Sequence, residues 1–420
     1  MKRLLVISNN VLSYNNNNGK TLLSFIAGLS EIEIKQLYFS GETPTVESYE
    51  YFQISDKDII KGLLNHKKRG RVRVTETQER AIDDFSVRKK IGRTTTTLCL
   101  RDLLWMNHWK SRQLLAWLDA FSPDAIFFIA GDALFAYNIA RFIANRFHAR
   151  LTVYMTDDYI MPRENETVLF HLRRCAIRKK LSQILSLASH FYTVSEPMRE
   201  EYHKLLGVDS SIAVNMTDDL LDRTIQKTEE YLVLVYAGSF YYHRADVLGE
   251  VAKAISRYNS KKGRIHAKLL LYSNYEPDEE LKQIMIQQDG SEYRGSLNKQ
   301  QLNKRLNTAD ILVFVESFDP AQIEKTKYSL STKVPEYLSV GKPILAIGPG
   351  NIGSISYLSD VSLCVQDPNN IDKAVAEILG DEKKRCDLGA SARKKYVRKH
   401  NKALLQKMFV SNVMGDEGEA

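Results

Sequence analysis

The stretch from Tyr328 to Gly348 concentrates the side chains best suited to chemistry. Ser331 and Thr332 stand where a helix should begin, so their hydroxyls and the first-turn N–H groups can face an anion, and Lys333 adds a full positive charge. Glu336, one turn on, can accept hydrogen bonds from two adjacent ribose hydroxyls. Gly341 and Pro343 then end the helix before the apolar strand Ile344 to Ile347. Phosphate donors, a cation and a carboxylate for a diol, all at one helix start, are what a nucleoside diphosphate sugar requires. A capping box would ask for Glu or Gln three residues after the cap, and it leaves Lys333 without a reason.

Four weaker signals surround this one. At Tyr236 to Arg244, Gly238 and Ser239 let the backbone approach an anion, and Arg244 can neutralise a diphosphate bidentately. Asp157 and Asp158 follow the apolar run Leu151 to Met155 at its C-terminal end, where an open α/β sheet puts its ligands. A carboxylate there can take a proton from a sugar hydroxyl, or simply close a turn. Gly19-Lys20-Thr21 invites a P-loop reading, but a Walker A motif needs a Gly five positions before its Gly-Lys, and Tyr14 stands there. What survives is an Asn-rich loop ending at Gly19, either presenting backbone N–H groups to a phosphate or sugar or serving as a plain βα turn. Asp56-Lys57-Asp58 spells a D-x-D metal clamp, yet it sits in a mixed polar stretch and reads as a surface loop. No metal is expected.

The elements that must position these residues alternate between strand and helix. Leu4 to Ile7, Ser122 to Gly131, Leu151 to Met155 and His190 to Val194 read as strands, with helices over Ala133 to Phe147, Thr167 to Leu187 and Glu196 to Leu205. After the polar segment Asp218 to Glu230 the alternation restarts. Strands are expected at Tyr231 to Ala237, Ala267 to Tyr272, Ile311 to Val315, Pro343 to Ile347 and Val361 to Val365. Helices are expected at Val247 to Arg257, Leu297 to Thr308 and Lys333 to Val340, with a basic helix over Arg385 to Phe409. Two doubly wound α/β units facing each other across a cleft follow, 1–220 and 221–420, the terminal helix being free to pack back on the first.

Composition agrees with a globular pair of domains. At 420 residues with 44% hydrophobic content, the chain is too long for one small core and too apolar for disorder. No apolar run approaches a membrane span, and the four cysteines (Cys99, Cys175, Cys364, Cys386) show no pairing or zinc spacing, so a reducing cytoplasm is expected. The net charge of +8 is local: between Lys57 and Arg93 twelve basic residues face five acids. A second cluster, Arg173, Arg174, Arg178, Lys179 and Lys180, is expected to form the basic face of a helix. Anionic membrane or an acidic substrate suits this charge better than nucleic acid, for which no zinc finger, RNP-type strand or basic zipper is present.

At Ser331-Thr332-Lys333 through Gly348, with support from the Gly19 loop, Asp157-Asp158, Thr193-Val194-Ser195-Glu196-Pro197-Met198 and Tyr236-Ala237-Gly238, the chain resembles a GT-B-fold glycosyltransferase. The resemblance is to the family 4 enzymes of bacterial surface-polysaccharide assembly. It implies transfer of a sugar from a UDP- or GDP-linked donor to a glycan or lipid-linked glycan, as a hexosyltransferase needing no metal or cofactor. Arg244 and Lys333 would contact the diphosphate, Ser331 and Thr332 would supply helix-start donors beside Gly238 and Ser239, and Glu336 would hold the ribose. The acceptor would bind near Gly19, Asp157 and Asp158, with Asp158 the candidate to orient or deprotonate it. Two departures stand out: Tyr328 replaces a second Glu that many members carry eight residues before Glu336, and Thr156-Asp157-Asp158 replaces a His after the N-domain strand. A non-catalytic sugar-binding or partner subunit, or a nucleotide-sugar epimerase on the same fold, is the alternative reading. The site is expected in the cytoplasm, at most peripheral to the inner face of the membrane.

Overall fold

The computed structural model describes residues 1–14, 17–65, 69–73, 94–163, 166–287 and 289–415. The chain divides into two compact units: Met1–Ala213 together with the chain from Ala403, and Val214–Lys402.

In the first unit the described strands are β1 (Lys2–Ser8), β2 (Ile32–Tyr38), β3 (Glu50–Gln53), β4 (Arg71–Arg73), β5 (Ala125–Ala130), β6 (Arg150–Met155), β7 (His190–Thr193) and β8 (Ser211–Ile212). They form one sheet in the order β4-β3-β2-β1-β5-β6-β7-β8, parallel except for the β3–β4 pair. The central strand β5, Ala-Ile-Phe-Phe-Ile-Ala, is apolar at every position because helices cover both faces of a parallel sheet. Those helices are α1 (Asn17–Ile26), α2 (Asp56–Asn65), α3 (Thr95–Trp105), α4 (Arg112–Phe121), α5 (Leu134–Phe147), α6 (Val168–Leu185) and α7 (Glu196–Leu206).

The second unit holds β9 (Leu232–Ala237), β10 (Ala267–Tyr272), β11 (Ser291–Tyr293), β12 (Ile311–Val315), β13 (Ile344–Ile347) and β14 (Leu363–Val365). Its sheet is wholly parallel, in the order β11-β10-β9-β12-β13-β14, which is the doubly wound order with its switch point between β9 and β12. Helices α8 (Arg244–Lys262), α9 (Glu279–Met285), α10 (Lys299–Thr308), α11 (Pro320–Thr326), α12 (Lys333–Val340), α13 (Gly353–Leu358), α14 (Ile371–Gly380) and α15 (Glu382–Lys399) surround it. Leu248, Val251 and Ile255 of α8 pack on one face of the sheet, and Val334, Tyr337 and Leu338 of α12 on the other.

The basic helix expected over Arg385 to Phe409 is two helices, because the chain breaks after α15 at His400, which is fully buried and bonds Tyr357 Oη at 3.0 Å. The last helix, α16 (Lys402–Met414), returns to the first unit. Its Phe409 packs 4.9 Å from Phe127 and 5.2 Å from Phe25, and Gln406 donates to the carbonyls of Phe25 and Ala27 at the end of α1. These bonds satisfy acceptors that a helix C-terminus leaves open.

Two expectations about charge need correction. Arg173 and Arg174 of α6 do not form a basic face, since both are buried. Arg173 pairs with Asp102 at 2.9 Å and Arg174 with Glu166 at 2.6 Å. Of the basic stretch Lys57 to Arg93, the residues 66–68 and 74–93 lie outside the described ones. Arg69 donates to the carbonyl of His108 and Arg73 to Gln53, so these two are tied to the fold. Asp56 and Asp58 lie in the first turn of α2, not in a loop. Asp58 accepts from the N–H and hydroxyl of Ser55, and Asp56 from Arg101 and Trp105. Helix-start carboxylates of this kind answer the positive end of the helix.

Candidate functional site

At the β9/β12 switch point the backbone of the second unit turns twice, after Ala237 and after Val315, and each turn delivers one part of a charged cluster. The first delivers Gly238, whose missing side chain leaves room for the ammonium of Lys333. A Cβ at residue 238 would overlap Lys333 Nζ. That ammonium also stands 5.0 Å from the centre of the Tyr236 ring, whose hydroxyl donates to the Ser239 carbonyl at 2.6 Å and holds the turn. The second turn delivers Glu316, buried to 4% exposure, which accepts from Arg244 Nε at 3.1 Å and Nη2 at 2.7 Å. The cluster therefore contains two cations and one carboxylate, on a floor of apolar strand ends.

Burial pushes the pKa of Lys333 down to about 8, with Arg244 pushing the same way and Glu316 and Glu336 opposing. The direction tells what the site lacks. Burial and the neighbouring arginine outweigh the two glutamates, so added negative charge beside Lys333 would favour its ammonium form.

The start of α8 is unusual. Tyr242 and His243 are consecutive non-glycine residues in the left-handed region, at φ 62° and 55°. Each costs about 1 kcal/mol, and such strain persists where surrounding structure demands it. The turn brings Arg244 onto Glu316 and leaves Tyr241 and Tyr242 half exposed. Tyr241 meets Tyr275 edge-on at 5.9 Å, and Arg244 lies 5.5 Å from the centre of the Tyr242 ring.

The expected phosphate donors at the start of α12 are partly spent inside the fold. The Ser331 N–H donates to Ser354 Oγ at 2.9 Å, the Lys333 N–H reaches Ser331 Oγ at 3.4 Å, and the Val334 N–H reaches the Ser331 carbonyl at 3.0 Å. Pro335 has no N–H to offer. Thr332 is the cap residue but makes no side-chain capping bond. Glu336 follows one turn later, partly exposed, and Gly341 closes the helix at φ 64°. Positive charge at this end of the sheet comes from Lys333 and Arg244 more than from free helix-start amides.

In the first unit, β6 ends at Met155 and Asp157 and Asp158 follow as expected, but with unequal roles. Asp158 Oδ1 accepts from the N–H groups of Ile160 and Met161 at 3.1 Å and from Tyr202 Oη at 2.9 Å, so it closes a turn. Asp157 makes only long side-chain bonds, from Thr156 Oγ1 at 3.4 Å and Tyr159 Oη at 3.5 Å. Burial raises its pKa, weak bonds from Thr156 and Tyr159 lower it, and Asp158 and Asp132 add repulsion. Gly19 lies in the first turn of α1, not at the end of a loop. A Cβ there would come within 2.5 Å of the Val11 carbonyl, so close packing of helix on turn requires a glycine.

Sequence reasoning missed Glu316 and Asp132. Each is an acid just past an all-apolar strand, β12 and β5, and that placement was the available signal. Among the described residues, no cluster of His, Cys, Asp and Glu has the makings of a metal site.

Two doubly wound α/β units with parallel sheets constitute the GT-B fold, and solved structures bear this out. HepE from Anabaena, solved in complex with UDP, aligns with a TM-score of 0.62 at 9% identity, covering 99% of this chain and 100% of that one. A sucrose-phosphate synthase from Thermosynechococcus elongatus aligns at 0.59 and 12%, covering 97% of each chain. An E. coli trehalose-6-phosphate structure bound with UDP-2-fluoro glucose aligns at 0.61 and 12%, covering 98% and 99%. No family model and no curated protein sequence matches the chain. Among the described residues no helix is long and apolar enough to cross a membrane.

Proposed function

We propose that the protein is a glycosyltransferase of the hexosyl type, moving a sugar from a nucleoside diphosphate donor to a glycan or lipid-linked glycan in cell-surface polysaccharide or glycoconjugate assembly, on the cytoplasmic side of the membrane. The observation that carries this reading is the cluster of Lys333, Arg244 and Glu316 at the switch point of a doubly wound sheet, with Gly238 cleared for the lysine.

In this reading the diphosphate lies against Lys333 and Arg244, and Glu336 takes the ribose hydroxyls. As the anomeric bond breaks, negative charge grows on the leaving diphosphate, and the two cations stabilise it without calling on a metal. Glu316 keeps Arg244 aimed while the site is empty and shares it once phosphate arrives. In the first unit, Asp157 orients the acceptor hydroxyl or takes its proton. Burial raises the pKa of Asp157, which favours proton uptake relative to an exposed carboxylate. The HepE structures with UDP and with UDP-glucose make UDP-glucose the first donor to try.

The test is release of nucleoside diphosphate from a panel of UDP and GDP sugars, with and without lipid-linked acceptor. Acceptor-dependent release supports transfer, and conversion of the sugar by water alone identifies an epimerase. Binding of nucleotide without any turnover, extracted acceptor included, reduces the protein to a sugar-binding subunit. Lys333→Ala and Glu336→Ala should each weaken nucleotide binding about tenfold or more; unchanged affinity in both variants would place the donor elsewhere.

A further inference from the structure

Helices α3 and α6 of the first unit present aliphatic side chains outward. On α3 and the residue after it these are Leu100, Leu103 and Met106, exposed to 67%, 61% and 52% and spaced three apart along one face. On α6 they are Val168, Leu169 and Leu172, at 78%, 39% and 60%. The two helices pack against each other and are joined by the buried Arg173–Asp102 ion pair, whose members adjoin Leu172 and Leu103 in sequence, so the exposed rows flank one helix pair. A soluble domain scatters its exposed leucines; six large aliphatic residues on two joined helices form a patch.

The patch continues into a basic groove. Met106 also lines an open cavity of about 680 Å³, together with Lys110, Arg141 and the amides of Asn107, Asn138 and Asn145. Lys110 lies 4.2 Å from the centre of the Phe142 ring, and among the described residues no carboxylate pairs with Lys110 or Arg141. Lys180 donates to Asn138 at 2.8 Å, and burial together with Arg141 and Lys179 lowers its pKa. Among the described residues, Asp119 beside this groove is paired with Arg146.

We propose that this face docks on an anionic phospholipid bilayer, the aliphatic row entering the interface and Lys110, Arg141, Lys179 and Lys180 meeting the headgroup phosphates. Its composition favours a bilayer over a protein partner. The exposed residues of the two rows are aliphatic and the adjoining groove is basic, the pattern of interfacial membrane helices. Charge complementarity names the lipid, since each basic group near an anionic surface adds attraction that salt screens. The inference stands apart from the donor site, because it concerns binding and needs no turnover.

The full chain is sedimented with vesicles of phosphatidylcholine, with and without phosphatidylglycerol. Binding is expected to require phosphatidylglycerol, to fall with salt, and to drop about tenfold or more in Leu103→Asp/Leu172→Asp and in Lys110→Glu/Arg141→Glu. UDP binding and the thermal midpoint, read in parallel, should match the parent chain, since these positions are exposed. Binding that ignores phosphatidylglycerol, or that survives both double variants, overturns the proposal. So does failure to bind any vesicle while Leu103→Asp/Leu172→Asp converts a dimer to a monomer, which would make the occupant a second copy of the chain.

Discussion

The ammonium of Lys333 fills the space that a side chain at Gly238 would need. One residue comes from the end of β9 and the other from the first turn of α12, so the absence of a Cβ at one position sets where the charge of the other can sit. The obstruction at residue 238 is the tip of a flexible side chain, not backbone. Gly238→Ala should therefore fold with nearly the parent's stability but displace the ammonium and weaken UDP binding about tenfold. Calorimetry beside a thermal melt separates the two effects, and unchanged affinity would mean that Lys333 does not meet the nucleotide.

The lowered pKa of Lys333 should make nucleotide binding pH-dependent. With a value of about 8 in the empty site, the ammonium is charged at pH 7 and largely neutral at pH 9.5. A diphosphate favours the charged form, so affinity should fall as pH rises through about 8, and binding near pH 8.5 should take up a proton. Titrations in buffers of different ionisation enthalpy detect that proton, and Lys333→Met should abolish both the uptake and the pH slope. For stability the sign is opposite: the empty fold penalises the ammonium, and that penalty lifts as pH rises from about 8 toward the ordinary lysine value.

Glu316 is buried against Arg244, so Glu316→Gln leaves Arg244 and Lys333 with only Glu336 to offset their charge. Breaking a buried pair in this way costs about 3 kcal/mol. The variant should melt earlier when empty and gain more stability from UDP than the parent does, because the diphosphate replaces the missing charge. Equal thermal shifts in the two proteins would count against a shared phosphate site.

Asp157 and Asp158 should separate by kind of effect. Asp158→Asn disturbs bonds from Ile160, Met161 and Tyr202 and is expected to cost about 1–3 kcal/mol of stability. Asp157→Asn should leave the melt nearly unchanged, spare UDP affinity, and lower acceptor-dependent turnover about a hundredfold. The reverse pattern would return the acceptor role to Asp158.

The order of strands and helices was legible wherever strands are buried on both faces, as in Ala125 to Ala130 or Ile311 to Val315, because uninterrupted apolar runs between turns have few other readings. The strand Ile32 to Tyr38, with Glu33 and Lys35 alternating with Ile34 and the buried Gln36, carries no such run and went unread. Of the charged cluster, Lys333, Arg244 and Gly238 were legible as residue types in suitable places. That Gly238 makes room for Lys333, and that Glu316 holds Arg244, follows only from the adjacency of β9 and β12, strands 74 residues apart at Ala237 and Ile311 that pair in one sheet. The same limit explains Arg173 and Arg174. Their helical spacing suggests a solvated basic face, and only the placement of Asp102 and Glu166 against them turns two surface charges into buried pairs. Local pattern determines which segments become strands and helices, since backbone geometry repeats over a few residues. Which charges meet, and so which are neutralised and which remain for a ligand, is decided by contacts between distant segments that only the folded chain creates.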